Sequence, residues 1–133
     1  MKRLLFATVI LLVSCKPPTP AEQMDAILSW VGSAIVLGNS WLRHTTPDTY
    51  TRQTLTLSHD QLRQIGAELL KSPPATIDST ELDSALTRSG SHLARMAQLV
   101  EVRNSPGFNQ VLDSLELDQK ALKQLSDKIE SSQ

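Results

Sequence analysis

The sequence predicts an all-α protein, an up-down four-helix bundle formed by residues 21–133. Three observations predict this fold. Four segments of the chain repeat apolar residues at the three- and four-residue spacing of one helix face. Short segments that contain proline or helix-capping residues separate them. Because short turns place consecutive helices side by side, four such segments favour an antiparallel bundle.

The composition limits the class of protein. The chain has 133 residues, which is enough for one small domain. Its 13 basic and 14 acidic residues give a net charge of −1, which excludes a strongly basic nucleic-acid binder. A hydrophobic content of 40% excludes an acidic disordered tail. The single cysteine excludes an intramolecular disulfide and a cysteine-rich zinc site.

The first helix is expected to begin at Pro20, with Thr19 as its N-cap and Glu22 three residues after the cap. It is expected to end at about Arg43 or His44. Residues 26–42 carry no charge. An uncharged helix of this kind is normally buried among other helices, so we expect a central position, with membrane insertion as the alternative.

The second helix is expected to begin after Thr46, its predicted N-cap, and Pro47, and to end at about Leu70. Residues 49–57 are rich in threonine and partly alternate, so a strand competes with a helix there. Ser58 starts another capping pattern, which indicates a possible break in the helix.

The third and fourth helices have regular apolar stripes. The third begins at Asp78 and carries Gly90 as a possible kink. The fourth is interrupted by Asp118, which indicates the end of the stripe, a paired polar core residue or a contact with a partner. The stripe of the third helix is Leu82, Leu86, Leu93, Met96 and Val100; that of the fourth is Phe108, Val111, Leu115, Leu122, Leu125 and Ile129.

No motif of a catalytic, metal or cofactor site is present in the sequence. There is no GxSxG, HExxH, CxxC or glycine-rich phosphate loop. The histidines His44, His59 and His92 lack a suitable second ligand on the same helix face, and two arginines flank His92. We therefore expect no enzyme activity, no catalytic residue, no metal and no cofactor.

The first fourteen residues have the layout of a secretory signal. A basic start, Lys2 and Arg3, precedes an apolar run at residues 4–13, and Ser14 and Cys15 follow. Ten helical residues rise about 15 Å, half the thickness of a bilayer core, so the run is too short to span one. The alternatives are an N-terminal core helix and a transmembrane anchor.

Residues 12–15, Leu-Val-Ser-Cys, resemble the lipobox of bacterial lipoproteins. The resemblance covers residues 1–15 and implies cleavage between Ser14 and Cys15. It implies a diacylglyceryl group on Cys15 and an acylated new amine, with palmitate as the typical chain. Lys16 in place of aspartate implies the periplasmic face of the outer membrane; otherwise the lipid holds the protein on the outer face of the cytoplasmic membrane.

The lipidated cysteine and a proline-rich tether form residues 15–20, ahead of the helical domain. Five residues in polyproline II extend about 15 Å, so the domain is expected to lie close to the bilayer. Loss of residues 1–14 removes two basic residues and leaves 11 basic and 14 acidic ones, a net charge of −3. Charge therefore does not draw the domain to anionic lipid, and the acyl chains provide the attachment.

The expected function is that of a lipid-anchored helical module that binds or escorts another envelope protein. In size, lipobox and helical character it resembles the pilotins of type II secretion, although the cysteine pair of many pilotins is absent. A partner groove is predicted beside Trp30, Ile35 and Trp41, with simple core packing as the alternative for the tryptophans. The alternative function is a structural envelope lipoprotein that associates with itself through the heptads of the fourth helix.

Overall fold

The computed structural model describes residues 16–131, in which all regular structure is helical. The helices are α1 (Pro20–Leu42), α2 (Asp48–Lys71), α3 (Ser79–Glu101) and α4 (Ser105–Ser131). The all-α prediction is confirmed. The predicted signal segment, the cleavage after Ser14 and the lipidation of Cys15 lie outside the described residues.

The four helices form a closed bundle. Each helix packs against its neighbours in sequence, and α1 also packs against α4. The connections, residues 43–47, 72–78 and 102–104, are short compared with helices that rise about 34–40 Å. Consecutive helices are therefore antiparallel, as the up-down prediction requires. The connections 43–47 and 102–104 lie at one end of the bundle, the turn end; the segment 16–19 and the connection 72–78 lie at the other, the tether end.

Side-chain caps start two helices where the sequence places them. The Oγ1 of Thr19 accepts a hydrogen bond from the amide of Glu22 at 3.2 Å, and Pro20 is the first helical residue. The Oδ1 of Asp78 accepts one from the amide of Thr80 at 2.9 Å. The predicted cap at Thr46 is wrong, because the N-cap of α2 is Pro47, without a side-chain hydrogen bond.

Helix α2 continues through the segments where the sequence indicates a strand or a break. Residues 49–57 are helical, and the strand alternative is wrong for them. Ser58 is buried, and its hydroxyl donates to the carbonyl of Thr54 at 2.9 Å, so it satisfies its own hydrogen bond without ending the helix.

Glycines allow α2 and α3 to pack closely. A Cβ on Gly66 would lie 3.1 Å from Cδ1 of Leu86, and one on Gly90 would lie 3.5 Å from Cδ2 of Leu62. Helix α3 passes through Gly90 without interruption. The position indicated as a kink is thus a point of helix contact.

The core lies between all four helices and contains the predicted stripes of α3 and α4. Every residue of both stripes is buried except Val111, which packs partly buried against the core. The heptad face of α4 is therefore covered within one chain. The side chains that fill most of the core include Phe108, Met24, Leu55, Leu62, Leu93, Leu112, Leu115 and Leu122.

The expected central position of α1 is wrong. Only Met24, Ile27, Val31, Ala34, Gly38 and Trp41 of this helix are buried, and Val36 is 66% exposed. Helix α1 is one of four equivalent walls, because it packs against two helices and not against three. None of the described helices is long and apolar enough to cross a membrane.

Candidate functional site

The residues of the predicted partner groove lie in three different environments. Trp41 is buried, with its ring 4.6 Å from that of Phe108 between centroids. Trp30 is half-buried, and Ile35 packs partly buried against the core. At about 100° per residue, the two tryptophans share a side of α1, whereas Ile35 is turned away from both by about 120–140°. The structure does not bring the three together, and the groove stays a prediction.

Trp41 also takes part in a polar contact at the turn end. Its Nε1 donates to Oδ1 of Asp48 at 2.8 Å, and Nε of Arg103 donates to Oδ2 of the same carboxylate at 3.0 Å. Asp48 therefore joins the end of α1 and the start of α2 to the turn between α3 and α4. The hydrogen bond from Trp41, followed by that from Arg103, lowers the pKa of Asp48 below its ordinary 3.8.

The two turns at this end have the same backbone geometry. After α1, the amide of His44 donates to the carbonyl of Trp41 at 2.9 Å, and the amide of Thr45 donates to that of Ser40 at 3.0 Å. The same two hydrogen bonds form at the end of α3, where Arg103 takes the position that His44 has after α1. Both are Schellman caps, which need a left-handed residue after the helix. Here the positions are held by His44 (φ 61°) and Arg103 (φ 54°) where glycine is usual.

A buried acidic group joins α3 to α4. Asp118 is only 5% exposed, and its Oδ2 lies 2.5 Å from Nδ1 of His92. Arg88 adds a longer contact, 3.5 Å from Nε to Oδ1. Of the three interpretations of Asp118, the paired polar core residue is the one that this geometry matches. His92 and Asp118 lie 26 positions apart on different helices. The residue spacing within either helix therefore does not indicate that the two side chains form a pair.

The described residues show no constellation of a metal site. Within residues 16–131, no group of three His, Cys, Asp or Glu side chains could hold a metal ion. The carboxylate of Asp118 instead has two nitrogen donors beside it.

Three depressions lie in series along the outer seam between α2 and α3. Their volumes are about 580, 220 and 190 Å³ from the tether end to the turn end. We refer to them together as the α2–α3 groove. Sequence reasoning missed this groove, because its depth depends on small residues beside the buried stripes: Gly66, Ala67, Ala94 and Ala97.

The solvent side of α1 differs from that of the other helices. Residues 26–42 contain no charged side chain, yet part of this segment faces solvent. We refer to Ser29, Gly32, Ser33, Val36 and Ser40 as the α1 outer face; all five are exposed or half-exposed. They lie within about 100° of one another on the helix. The outer sides of α2, α3 and α4 carry charged residues along their length, whereas on the outer side of α1 the charges stand only at the two ends: Glu22 and Asp25 precede the α1 outer face, and Arg43 follows it.

Comparison of the chain with protein-family models, with curated protein sequences and with solved structures gave no match.

Proposed function

We propose that the protein is a lipid-anchored, non-catalytic module of the bacterial envelope that binds or escorts another envelope protein. Cys15 is the proposed lipid site, with cleavage after Ser14 and attachment to the periplasmic face of the outer membrane. The lipobox-like residues 12–15 support the anchor.

The position of α1 in the chain supports a short distance between membrane and bundle. Only residues 16–19 separate Cys15 from the first helical residue. Four residues extend about 12 Å in polyproline II. An anchor at Cys15 would keep the tether end near the bilayer, with the turn end about 35 Å farther away.

The observation that carries the binding proposal is the α1 outer face. A solvent-facing helix surface normally carries charged residues, and this one carries none over residues 26–42. Val36 stands at its centre and is 66% exposed. Small neighbours on both sides of Val36 let a partner helix approach the backbone closely. We propose this face as the surface that contacts the partner.

A crosslinking experiment in membranes of the native host tests the proposal. The full lipoprotein is crosslinked gently, recovered by pull-down, and its partners are identified by mass spectrometry. One dominant envelope protein is expected with the wild type. The yield should fall at least tenfold for Val36→Glu, because the charge would have to lose water at the contact.

Leu117→Glu is the matched control. Leu117 is 65% exposed on α4, almost the same as Val36, but lies outside the α1 outer face. Equal loss of the partner in both variants, or no loss in either, would contradict the role of the α1 outer face. Recovery of self-crosslinks without another envelope protein would contradict partner binding.

The structure does not favour self-association through α4. That alternative needs the heptad stripe to be free, and Phe108, Leu115 and Leu122 are fully buried within the chain.

A further inference from the structure

The two walls of the α2–α3 groove carry opposite charges. Arg52 and Arg63 stand on the α2 wall, and Asp83 and Glu101 stand on the α3 wall. All four are exposed or half-exposed. Within residues 16–131 none of the four forms an ion pair. The groove therefore presents unused cations along one side and unused anions along the other.

The opposite charges share two depressions of the groove: Arg52 and Glu101 are nearly level, whereas Arg63 and Asp83 lie about five residues, roughly 7 Å, apart along the bundle axis. Arg63 and Asp83 line the largest depression, and Arg52 and Glu101 line the middle one. A partner that fits the groove must offer anions opposite α2 and cations opposite α3 in the same two depressions. A second copy of this chain offers this arrangement when it is turned by a two-fold axis.

We propose that a second copy docks face to face on the α2–α3 groove, about a two-fold axis parallel to the helices. This rotation places α2 of each copy opposite α3 of the other at the same height. Arg52 then faces Glu101 of the other copy, and Arg63 lies in the same depression as Asp83 of the other copy, roughly 7 Å from it along the axis. The symmetry repeats each pairing, so that two level pairs and two offset pairs of opposite charge cross the interface.

The two other charged groups on the α2 wall, Asp48 and Asp60, do not oppose this arrangement, because each already has a contact within the chain. Asp48 accepts a hydrogen bond from Arg103. Asp60 lines the largest depression, and its Oδ1 lies 3.2 Å from Nδ1 of the adjacent His59. Along the groove, the small residues Gly66, Ala67, Ala94 and Ala97 leave room for the side chains of the other copy.

The available area fits a dimer that is weak in dilute solution. Two helices about 10 Å wide, over the about 27 Å between Arg52 and Leu70, offer a footprint of roughly 500 Å² per copy. Stable complexes bury about 800 Å² per partner. Confinement of both copies to one membrane surface raises their effective concentration, which strengthens a weak contact.

The direction of the axis also matches the proposed anchor. A two-fold axis parallel to the helices leaves the tether ends of both copies at the same end of the dimer. Two copies held by Cys15 in one leaflet need this orientation. The charge pattern does not depend on the anchor, and the dimer goes beyond the proposed binding of a partner by the α1 outer face.

Disulfide trapping between two differently labelled full-length chains tests the dimer. One chain carries Thr56→Cys and the other Gln98→Cys; both residues are exposed and line the middle depression on opposite walls. The chains are coexpressed, and host membranes are oxidised with copper phenanthroline. We expect a heterodisulfide, and at least tenfold less when Lys120→Cys on the outer side of α4 replaces Gln98→Cys.

Charge reversal then identifies the face. Adding Arg52→Glu and Arg63→Glu to the Thr56→Cys chain should reduce the heterodisulfide at least tenfold, because like charges now meet at two of the four pairings, those beside the two cysteines. Adding Asp83→Arg and Glu101→Arg to the Gln98→Cys chain should restore it to within twofold, since every facing pair is again opposite. Circular dichroism melting checks that the exposed substitutions leave each chain folded.

Three results would overturn the dimer: no heterodisulfide above the Lys120→Cys control, no effect of the first reversal, or no restoration by the second. If the proposed lipid anchor is wrong, the protein will be found in the soluble fraction, and this result is distinct from the three above. In that case the same trapping is carried out on the soluble full-length chains at high concentration, with the same criteria.

Discussion

Nδ1 of His92 and Oδ2 of Asp118 lie 2.5 Å apart and join α3 to α4 inside an otherwise apolar stripe. The side chain of Asp118 is only 6% exposed. Arg88 makes the other contact with Asp118, an ion pair of 3.5 Å from Nε to Oδ1, and its side chain is 53% exposed. The burial of Asp118 therefore depends mainly on His92.

Removal of His92 is expected to destabilise the bundle strongly. His92→Ala leaves a buried carboxylate without its short hydrogen bond, and a buried polar group left without its partner lowers the free energy of unfolding by about 1–3 kcal/mol, and by more when the group is charged. Arg88→Ala should change it by less than about 1 kcal/mol, because that contact is long and half-exposed. Urea denaturation of both variants measures the difference. Equal effects would contradict the assigned dependence on His92.

Leu122→Asp tests the buried stripe of α4. Leu122 is 0% exposed, so the substitution buries a carboxylate among apolar side chains. We expect a loss of several kcal/mol in the free energy of unfolding. Leu117→Asp is the control: at 65% exposure, it should change the free energy by no more than about 0.5 kcal/mol. An unchanged melting temperature for Leu122→Asp would mean that the stripe is accessible.

Asp48 should give the bundle an acid-dependent contribution to stability. Its pKa is lowered in the folded state, mainly by the hydrogen bond from Trp41 and then by Arg103. A lowered pKa stabilises the fold above the unfolded value of about 3.8, and the contribution is lost as the pH falls from there through the folded-state pKa. Wild type should therefore exceed Asp48→Asn in stability at neutral pH and lose this advantage in acid.

The comparison for Asp48 uses urea denaturation of both proteins at a series of pH values from 7 downward. A difference that stays constant across this series would contradict the role of the ionised carboxylate. Arg103→Ala should remove part of the difference, since Arg103 donates one of the two hydrogen bonds to Asp48.

His44→Gly is expected to stabilise the protein. His44 has a φ of 61°, where a side chain disfavours the backbone by about 1 kcal/mol and glycine does not. The gain should appear as a rise of a few degrees in melting temperature, measured by circular dichroism. Arg103→Gly, at φ 54°, should gain less because it also loses the contact with Asp48. A lower melting temperature for His44→Gly would show that its side chain contributes more than its backbone position loses.

The sequence predicted the features that depend on local patterns. Residues a few positions apart determine the caps at Thr19 and Asp78 and the stripes of α3 and α4. The presence of these helices, and which side of each is buried, could therefore be inferred. The burial of α1 could not be inferred, because an uncharged sequence does not show how many neighbouring helices will cover the segment. Thr46 was misassigned because Pro47 itself takes the cap position.

Contacts between residues far apart in the chain could not be predicted from sequence patterns. His92 and Asp118 come from two helices, and Arg103 reaches Asp48 across 55 positions. The α2–α3 groove arises where small residues of two helices meet, and no spacing within one helix signals it. The predicted residues Trp30, Ile35 and Trp41 share a helix but divide between its two sides.

The most direct test of the central claim is the intact mass of the protein purified from its host's membranes. We expect a chain that starts at Cys15 and carries the added mass of acyl groups. We also expect that Cys15→Ser releases the protein from the membrane and leaves the melting curve of the bundle unchanged. A chain that keeps Met1, or that carries Cys15 without lipid, would contradict the anchor. Retention of Cys15→Ser in carbonate-washed membranes would contradict it as well.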